Sequence, residues 1–158
     1  MRHNFTMSDD SPHLSPPHAK LADFLCFTLY SANLVFGRAY KPLLDELGLT
    51  YPQYIVILAL WEEDNQTVCR LGEKLFLESN TLTPVLKRLD AMGHVWRQRS
   101  TRDERQVHVG LTAAGRALRE KAAGMSLREA CGLTPDEFAG TRDILATLRG
   151  NLIRAMGK

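Results

Sequence analysis

The sequence lacks any hydrophobic run long enough to cross a membrane. Its longest apolar segment is the eight residues from Tyr54 to Trp61, whereas a membrane-spanning helix needs roughly 20. Arg2 near the N-terminus is not followed by an apolar region, so this end does not fit a signal peptide. We therefore expect a cytoplasmic protein that does not associate with a membrane.

Cysteine is scarce, and the three that occur, Cys26, Cys69 and Cys131, are far apart in the sequence. An odd number of separated cysteines in a reducing compartment argues against structural disulfides and leaves thiols that need another explanation. His94, His108 and the cysteines do not have the spacing of metal ligands. We accordingly predict neither a metal nor a cofactor.

The chain also has little excess of one charge, with a formal net charge of +2 in 158 residues. Its hydrophobic share of 44% and charged share of 24% are ordinary for a globular domain with a buried core. Residues 1–17, which are rich in serine and proline, are predicted to form a flexible tail.

Helical periodicity dominates the first half of the remaining chain. Apolar side chains cover almost every side of a helix over residues 20–36, which in a small chain favours a subunit interface. A shorter helix over about 39–47 should end at Gly48. Thr50 opens a third helix with a capping-box pattern, and a short helix follows over 68–75.

The second half contains another helix, over about residues 79–92. After it, the spacing of apolar residues changes from that of a helix to that of a strand. Residues 95–99 and 106–111 alternate as two strands joined by a charged turn. Thr112 should cap a helix running towards Cys131, and Thr134 should cap a last helix reaching about Met156. The order predicts a mainly α fold with a small β-hairpin wing, a winged helix-turn-helix. We assign residues 49–111 to DNA binding, and residues 18–48 and 112–158 to dimerisation.

Polar and cationic side chains concentrate on the second helix of the pair and on the hairpin. The second helix must present such groups to the major groove of duplex DNA. Six cations lie between Lys87 and Arg105, against three carboxylates, so the positive charge is local. The predicted DNA-binding residues are Ser79, Asn80, Thr81, Thr83, Pro84, Lys87, Arg88, Arg97, Arg99, Arg102, Asp103 and Arg105. The expected partners are a second copy of the chain and operator DNA with an inverted repeat.

Two sets of motifs in the sequence resemble those of a known protein family. Asp103-Glu-Arg105, continuing through Val109-Gly-Leu-Thr-Ala-Ala-Gly115, resembles the MarR family of dimeric winged-helix regulators. The segments Leu25-Cys-Phe27, Tyr40-Lys-Pro-Leu-Leu44, Leu49-Thr-Tyr-Pro-Gln-Tyr54 and Thr81-Leu-Thr-Pro-Val-Leu-Lys-Arg-Leu89 look like its organic-hydroperoxide-sensing branch, the OhrR-type repressors. Asn80 stands where that pattern has a glycine.

The resemblance implies a redox switch. Cys26 matches the reactive cysteine of the branch, Tyr40 and Tyr51 match the tyrosines that hold it, and Cys131 matches the resolving cysteine of its two-cysteine subgroup. Tyr30 shares the helix face of Cys26 by spacing. The implied function is a repressor that leaves its operator when an organic hydroperoxide oxidises Cys26 to a sulfenic acid, which then forms a disulfide with Cys131 of the partner subunit.

Other interpretations remain open at this point. Cys26, flanked by apolar residues, could be an inert core thiol, Cys131 an exposed thiol without a role, and Tyr40 and Tyr51 packing aromatics. Cys69 is interpreted as structural. A regulator controlled by a small amphipathic or aromatic ligand is the main alternative function. A thiol peroxidase is disfavoured, because no arginine lies near Cys26 in the sequence and an enzyme would not need the DNA-binding pattern.

Overall fold

The computed structural model describes residues 20–101, 103, 105–123 and 131–157. The predicted tail, Arg102, and the part of the predicted dimerisation region at residues 124–130 lie outside this set. The chain divides into two compact units, Met1–Phe36 and Gly37–Lys158.

The described part of the first unit is a short helical turn followed by most of one long helix. A 3-10 turn over Leu21–Asp23 is closed by the amide of Lys20, which donates to the Asp23 carboxylate at 3.0 Å. Phe24 is extended, so helix α1 spans Leu25–Ala39, and the prediction of one helix from Lys20 was wrong at its start. No residue of α1 is buried in the single chain. Its interface role stays a prediction.

The second unit begins with two helices whose ends follow from their capping residues. Helix α2 spans Lys41–Leu47 and ends at Gly48, whose φ of 66° is the left-handed conformation that favours glycine. Helix α3 spans Tyr51–Glu62. The Gln53 side-chain oxygen accepts from the Thr50 amide at 2.8 Å, which fixes the first turn of α3.

The next two helices form the predicted helix-turn-helix. Helix α4 spans Val68–Leu75, and the Thr67 hydroxyl accepts from the Arg70 amide at 3.2 Å at its start. Helix α5 spans Ser79–Ala91. The close approach of the turn to α4 requires Gly72, because a Cβ there would lie 2.8 Å from the carbonyl oxygen of Leu77. Both predicted helices are therefore confirmed.

The predicted two-stranded hairpin is confirmed, and a third strand extends it to a three-stranded antiparallel sheet. Strands β2 (Val95–Arg99) and β3 (Val107–Leu111) pair in the register Arg97 opposite Val109. A two-residue strand β1, Gln66–Thr67, pairs with the other edge of β3, giving the order β1-β3-β2. β1 was not predicted, because two residues are too few to show a period.

Two further helices lie in the described part of the second unit. Helix α6 spans Ala113–Ala122, and the Thr112 hydroxyl accepts from the Gly115 amide at 3.1 Å. Helix α7 spans Pro135–Met156 and is capped by Thr134, as expected. Cys131 lies in the turn before α7, and the stretch between it and α6 at residues 124–130 is outside the described residues.

The core of this unit joins the helix-turn-helix, the sheet and α6. The Trp61 indole donates to the carbonyl of Gly115 at 3.1 Å, and the Asp64 carboxylate accepts from the Leu111 amide at 2.8 Å while pairing with Arg116. The apolar core consists of Leu43, Leu44, Leu47, Leu49, Tyr54, Val56, Ile57, Ala59, Leu60, Leu71, Leu82, Leu86, Leu89, Val95, Val109, Leu111 and Leu118. Helix α5, the sheet and the start of α6 are thus held on one scaffold.

Over the described part of the chain, no single helix combines the length and apolarity needed to cross a bilayer, and α2 with α3 would do so only as a pair bent by 73°.

Candidate DNA interface and cysteine sites

Helix α5 has one face in the core and the other in solvent. Leu82, Leu86 and Leu89 are all fully buried, so they fix the rotation of the helix about its axis. The predicted contact residues fall on the other side. Thr83 is half-buried, and the exposed ones are Ser79, Asn80, Thr81, Pro84, Lys87 and Arg88. The helix therefore presents small polar groups and two cations together, as a helix that reads the major groove must.

The wing adds arginines on and beyond β2. Arg97 is half-buried and Arg99 exposed, and alternation along the strand places both on the same face of the sheet. Arg105 is exposed at the end of the turn that follows. Arg102, the fourth predicted arginine of the wing, is outside the described residues.

Asp103 organises the wing turn. Its carboxylate accepts from the backbone amide of Arg105 at 3.0 Å and from the side-chain amide of Gln106 at 3.2 Å. Its own amide donates to the Ser100 hydroxyl at 3.3 Å. These bonds fix the backbone that carries Arg105, so the structure gives Asp103 a role in shaping the turn.

A groove of about 700 Å³ runs between α4, the start of α5 and the wing. Ser79, Thr83, Arg97 and Arg105 line it, together with Cys69. Within the described residues, the buried Nε of Arg97 has no hydrogen-bond partner. Hydroxyls and guanidinium groups facing one groove suit the phosphate oxygens of a nucleic-acid backbone. The Cys69 thiol donates to Glu73 at 3.6 Å and is exposed, so it is not a core residue.

Three tyrosines gather where the start of α2 meets α3. The ring centroid of Tyr40 lies 5.2 Å from that of Tyr51 and 5.9 Å from that of Tyr54. Burial raises the pKa of Tyr40, with smaller contributions from Tyr51, Tyr54 and Cys131. Burial, and then Tyr51, raises the pKa of Tyr54. The hydroxyls of Tyr40 and Tyr54 thus stay protonated at neutral pH and are available as hydrogen-bond donors.

Cys131 is half-buried and is the smallest of the contributions that raise the pKa of Tyr40. The ring contact brings together two of the predicted redox residues, Tyr40 and Tyr51. Cys26 and Tyr30 belong to the first unit, where both are exposed on α1. The expectation that Cys26 could be a buried core thiol does not hold within that unit.

Comparison with known proteins shows to which family the chain belongs. The model of the family described as transcriptional regulator SarA/Rot matches residues 38–122. The regulator TtmR of Methylorubrum extorquens is 49% identical over 135 residues, covering 81% of this chain and 67% of that protein. The organic hydroperoxide resistance transcriptional regulator of Bacillus subtilis is 50% identical over 105 residues, covering 66% and 71%. The chain belongs to the SarA/Rot and MarR-type family of winged-helix transcriptional regulators.

Solved structures agree with this MarR-type fold. Reduced AbfR of Staphylococcus epidermidis bound to DNA superposes with a TM-score of 0.72 at 36% identity, covering 86% of this chain and 94% of that one. AbfR with a disulfide formed gives 0.56 at 37% identity, covering 87% and 93%. The predictions of a winged helix-turn-helix and of a regulator that is not an enzyme are confirmed.

Sequence reasoning missed one member of the tyrosine cluster in this MarR-type regulator. Tyr54 was assigned to the motif that carries the resemblance but not to the site. It follows Tyr51 by three residues on α3, a spacing that places both on one helix face and could have indicated it. No group of three or more histidine, cysteine or acidic side chains in the described part of the chain is arranged to hold a metal.

Proposed function

We propose that this regulator is a homodimeric repressor that releases operator DNA when an organic hydroperoxide oxidises Cys26. The observation that carries the proposal is the packing of Tyr40 against Tyr51, with ring centroids 5.2 Å apart, because these two match the tyrosines that hold the reactive cysteine. Tyrosine hydroxyls can donate hydrogen bonds to a cysteine sulfur, which is what a thiol switch needs in order to hold its reactive cysteine. The name of the Bacillus relative and the disulfide-formed state of AbfR support the same interpretation.

In the DNA-bound state, residues 49–111 of each protomer bind one half-site of an operator with an inverted repeat. Helix α5 enters the major groove, and Arg97, Arg99 and Arg105 with Arg102 neutralise phosphates or reach into the minor groove. Residues 18–48 and 112–158 form the dimer. The exposed apolar side chains on α1, among them Leu25 and Val35, supply surface for that contact.

The chemistry has two steps. The Cys26 thiolate attacks the terminal peroxide oxygen, the O–O bond breaks, and the sulfur becomes a sulfenic acid while the alkoxide leaves and takes up a proton. The Cys131 thiol of the partner subunit then attacks that sulfur, forming a disulfide and releasing water. A low-molecular-weight thiol restores both cysteines by exchange.

Release follows from the geometry of a two-fold operator. The two α5 helices must reach major-groove faces one helical turn of DNA apart. Drawing Cys26 and the partner's Cys131 together moves the helices at the subunit interface, and α6 shares its core with α5. A small rotation of each winged helix therefore spoils the spacing of the pair.

Serine variants of the three cysteines test this mechanism. Reduced and cumene-hydroperoxide-treated protein would be compared in mobility-shift assays on duplexes selected by the parent from a random library. We expect Cys26→Ser to stay on DNA after treatment, and Cys131→Ser to lose the intersubunit crosslink on a non-reducing gel. Cys69→Ser is the matched control and should respond like the parent. Release of Cys26→Ser by peroxide would refute the sensor assignment.

One observation favours a second candidate, control by a small amphipathic acid. A groove of about 390 Å³ between α3 and α6 is lined by Tyr54, Leu58, Trp61 and Arg119, and by Glu62, whose carboxylate is paired with Lys74. An aromatic wall beside a guanidinium group suits an aromatic carboxylate. Benzoate would then displace DNA from the parent and from Cys26→Ser alike, and Arg119→Met would abolish the effect.

A further inference from the structure

The turn of the helix-turn-helix contains a residue in an unfavourable backbone conformation. Phe76 ends α4 with φ 56° and ψ 37°, the left-handed region in which glycine or asparagine is usual. A bulky side chain is rarely found there, and such strain persists only where the surrounding structure imposes it. The amide of Leu77 donates to the Gly72 carbonyl at 2.9 Å, which fixes the tight turn on either side.

Packing in the core does not explain why a phenylalanine occupies this left-handed position. It is 56% exposed, while the next residue, Leu77, packs against the core. A small residue at position 76 would satisfy the backbone, and the exposed ring adds nothing to the core of the unit. Its presence therefore points to a contact made by the ring itself.

That contact comes from the last helix. The guanidinium carbon of Arg149 on α7 lies 4.2 Å from the centroid of the Phe76 ring. A cation held over an aromatic face at this distance is attracted by the ring's quadrupole. Helix α7 buries no residue within the single chain. The stack thus ties a helix with no core of its own to the turn that leads into α5.

We propose that Phe76 and Arg149 are positioning residues, which set the orientation of α5 relative to α7. This inference rests on the proposed function, in which α7 belongs to the dimerisation region and α5 reads DNA. Phe76 leads directly into the first turn of α5, so the ring acts on the end of the helix that carries Ser79 and Asn80. Without the stack, that end loses one restraint against α7, and the two α5 helices of a dimer are held less firmly at their operator spacing.

The test measures operator affinity of the full-length protein on the duplex that the parent selects from a random library. Phe76→Asn removes the ring but tolerates the left-handed backbone, and Arg149→Met removes the cation but keeps the aliphatic stem. We expect each to weaken binding about two- to five-fold, the range of an exposed cation–π contact. The double variant should be no weaker than either single one, and Phe76→Tyr should bind like the parent.

Two controls separate positioning from stability and from charge. Phe76→Asn should unfold at the parental temperature or above it, because it relieves backbone strain. Arg154→Met removes the same charge from α7 at a residue that bonds Asn151 instead of a ring, and it should keep parental affinity. Parental affinity in both Phe76→Asn and Arg149→Met, or losses that multiply in the double variant, would overturn the inference. Failure of the parent to enrich any duplex would instead refute the proposed function.

Discussion

The exposed position of Arg105 in the wing predicts how DNA affinity should depend on salt concentration. Arg105→Ala removes a cation from the wing turn but leaves its backbone in place, because Asp103 accepts from the amide of residue 105 and not from its side chain. The variant should therefore lose charge without losing the shape of the turn. This makes it a clean probe of a phosphate contact.

The size of the effect follows from counterion release. Each phosphate neutralised contributes about 0.9 to the slope of log affinity against log salt, so the two wings of the proposed dimer would contribute about 1.8. Over the fourfold change from about 50 to about 200 mM salt, that slope corresponds to about a twelvefold change in affinity. The defect of Arg105→Ala should thus be about twelvefold larger at the lower salt concentration.

Fluorescence anisotropy with a labelled duplex, titrated at four or five salt concentrations, would measure the two slopes. Arg142→Ala on α7 is the matched control, because Arg142 is exposed and pairs with Asp143, away from the wing. Its slope should equal that of the parent. Parallel lines for Arg105→Ala and the parent would refute the reasoning, since they would mean that Arg105 touches no phosphate.

Two further predictions concern stability. Leu86→Ala, at a fully buried position on the core face of α5, should lower the free energy of unfolding by about 2–5 kcal/mol in urea titrations. The exposed neighbour Lys87→Ala should change it by less than about 0.5 kcal/mol, and equal midpoints for the two would contradict the assigned rotation of α5. Burial, and then Lys121, lowers the pKa of His94, so the unfolded chain takes up more protons as the pH falls through about 6.5 and stability should decrease from about pH 7.5 towards 5.5. His94→Gln should flatten that part of the stability curve, and an unchanged curve would show that His94 does not cause it.

Local signals in the sequence were sufficient for most of the fold. The cap at Thr112, the stop at Gly48 and the change of period at Val95 each depend on a few neighbouring residues, and each lies where it was predicted. The two-stranded wing was incomplete, because β1 exists only through its pairing with β3. Such pairing depends on residues more than 40 positions apart, Gln66 and Val109, and leaves no local period.

The candidate sites divide in the same way. The cationic side of α5 followed from helical spacing alone, since Leu82, Leu86 and Leu89 define the opposite face. The packing of Tyr40 against Tyr51 could come only from the resemblance or from the fold, because helix α2 and the turn at Gly48 lie between the two tyrosines in the sequence. The left-handed backbone at Phe76 carried no sequence signal at all, because turn residues are expected to be glycine or asparagine.

Thr67 belongs to two structures at once, since it ends β1 and caps α4. No linker residue therefore separates the sheet edge from the first helix of the DNA-binding pair. A change in length between Gln66 and Val68 would break both the strand pairing and the cap. Relatives that differ in operator preference are therefore expected to keep the length of this junction.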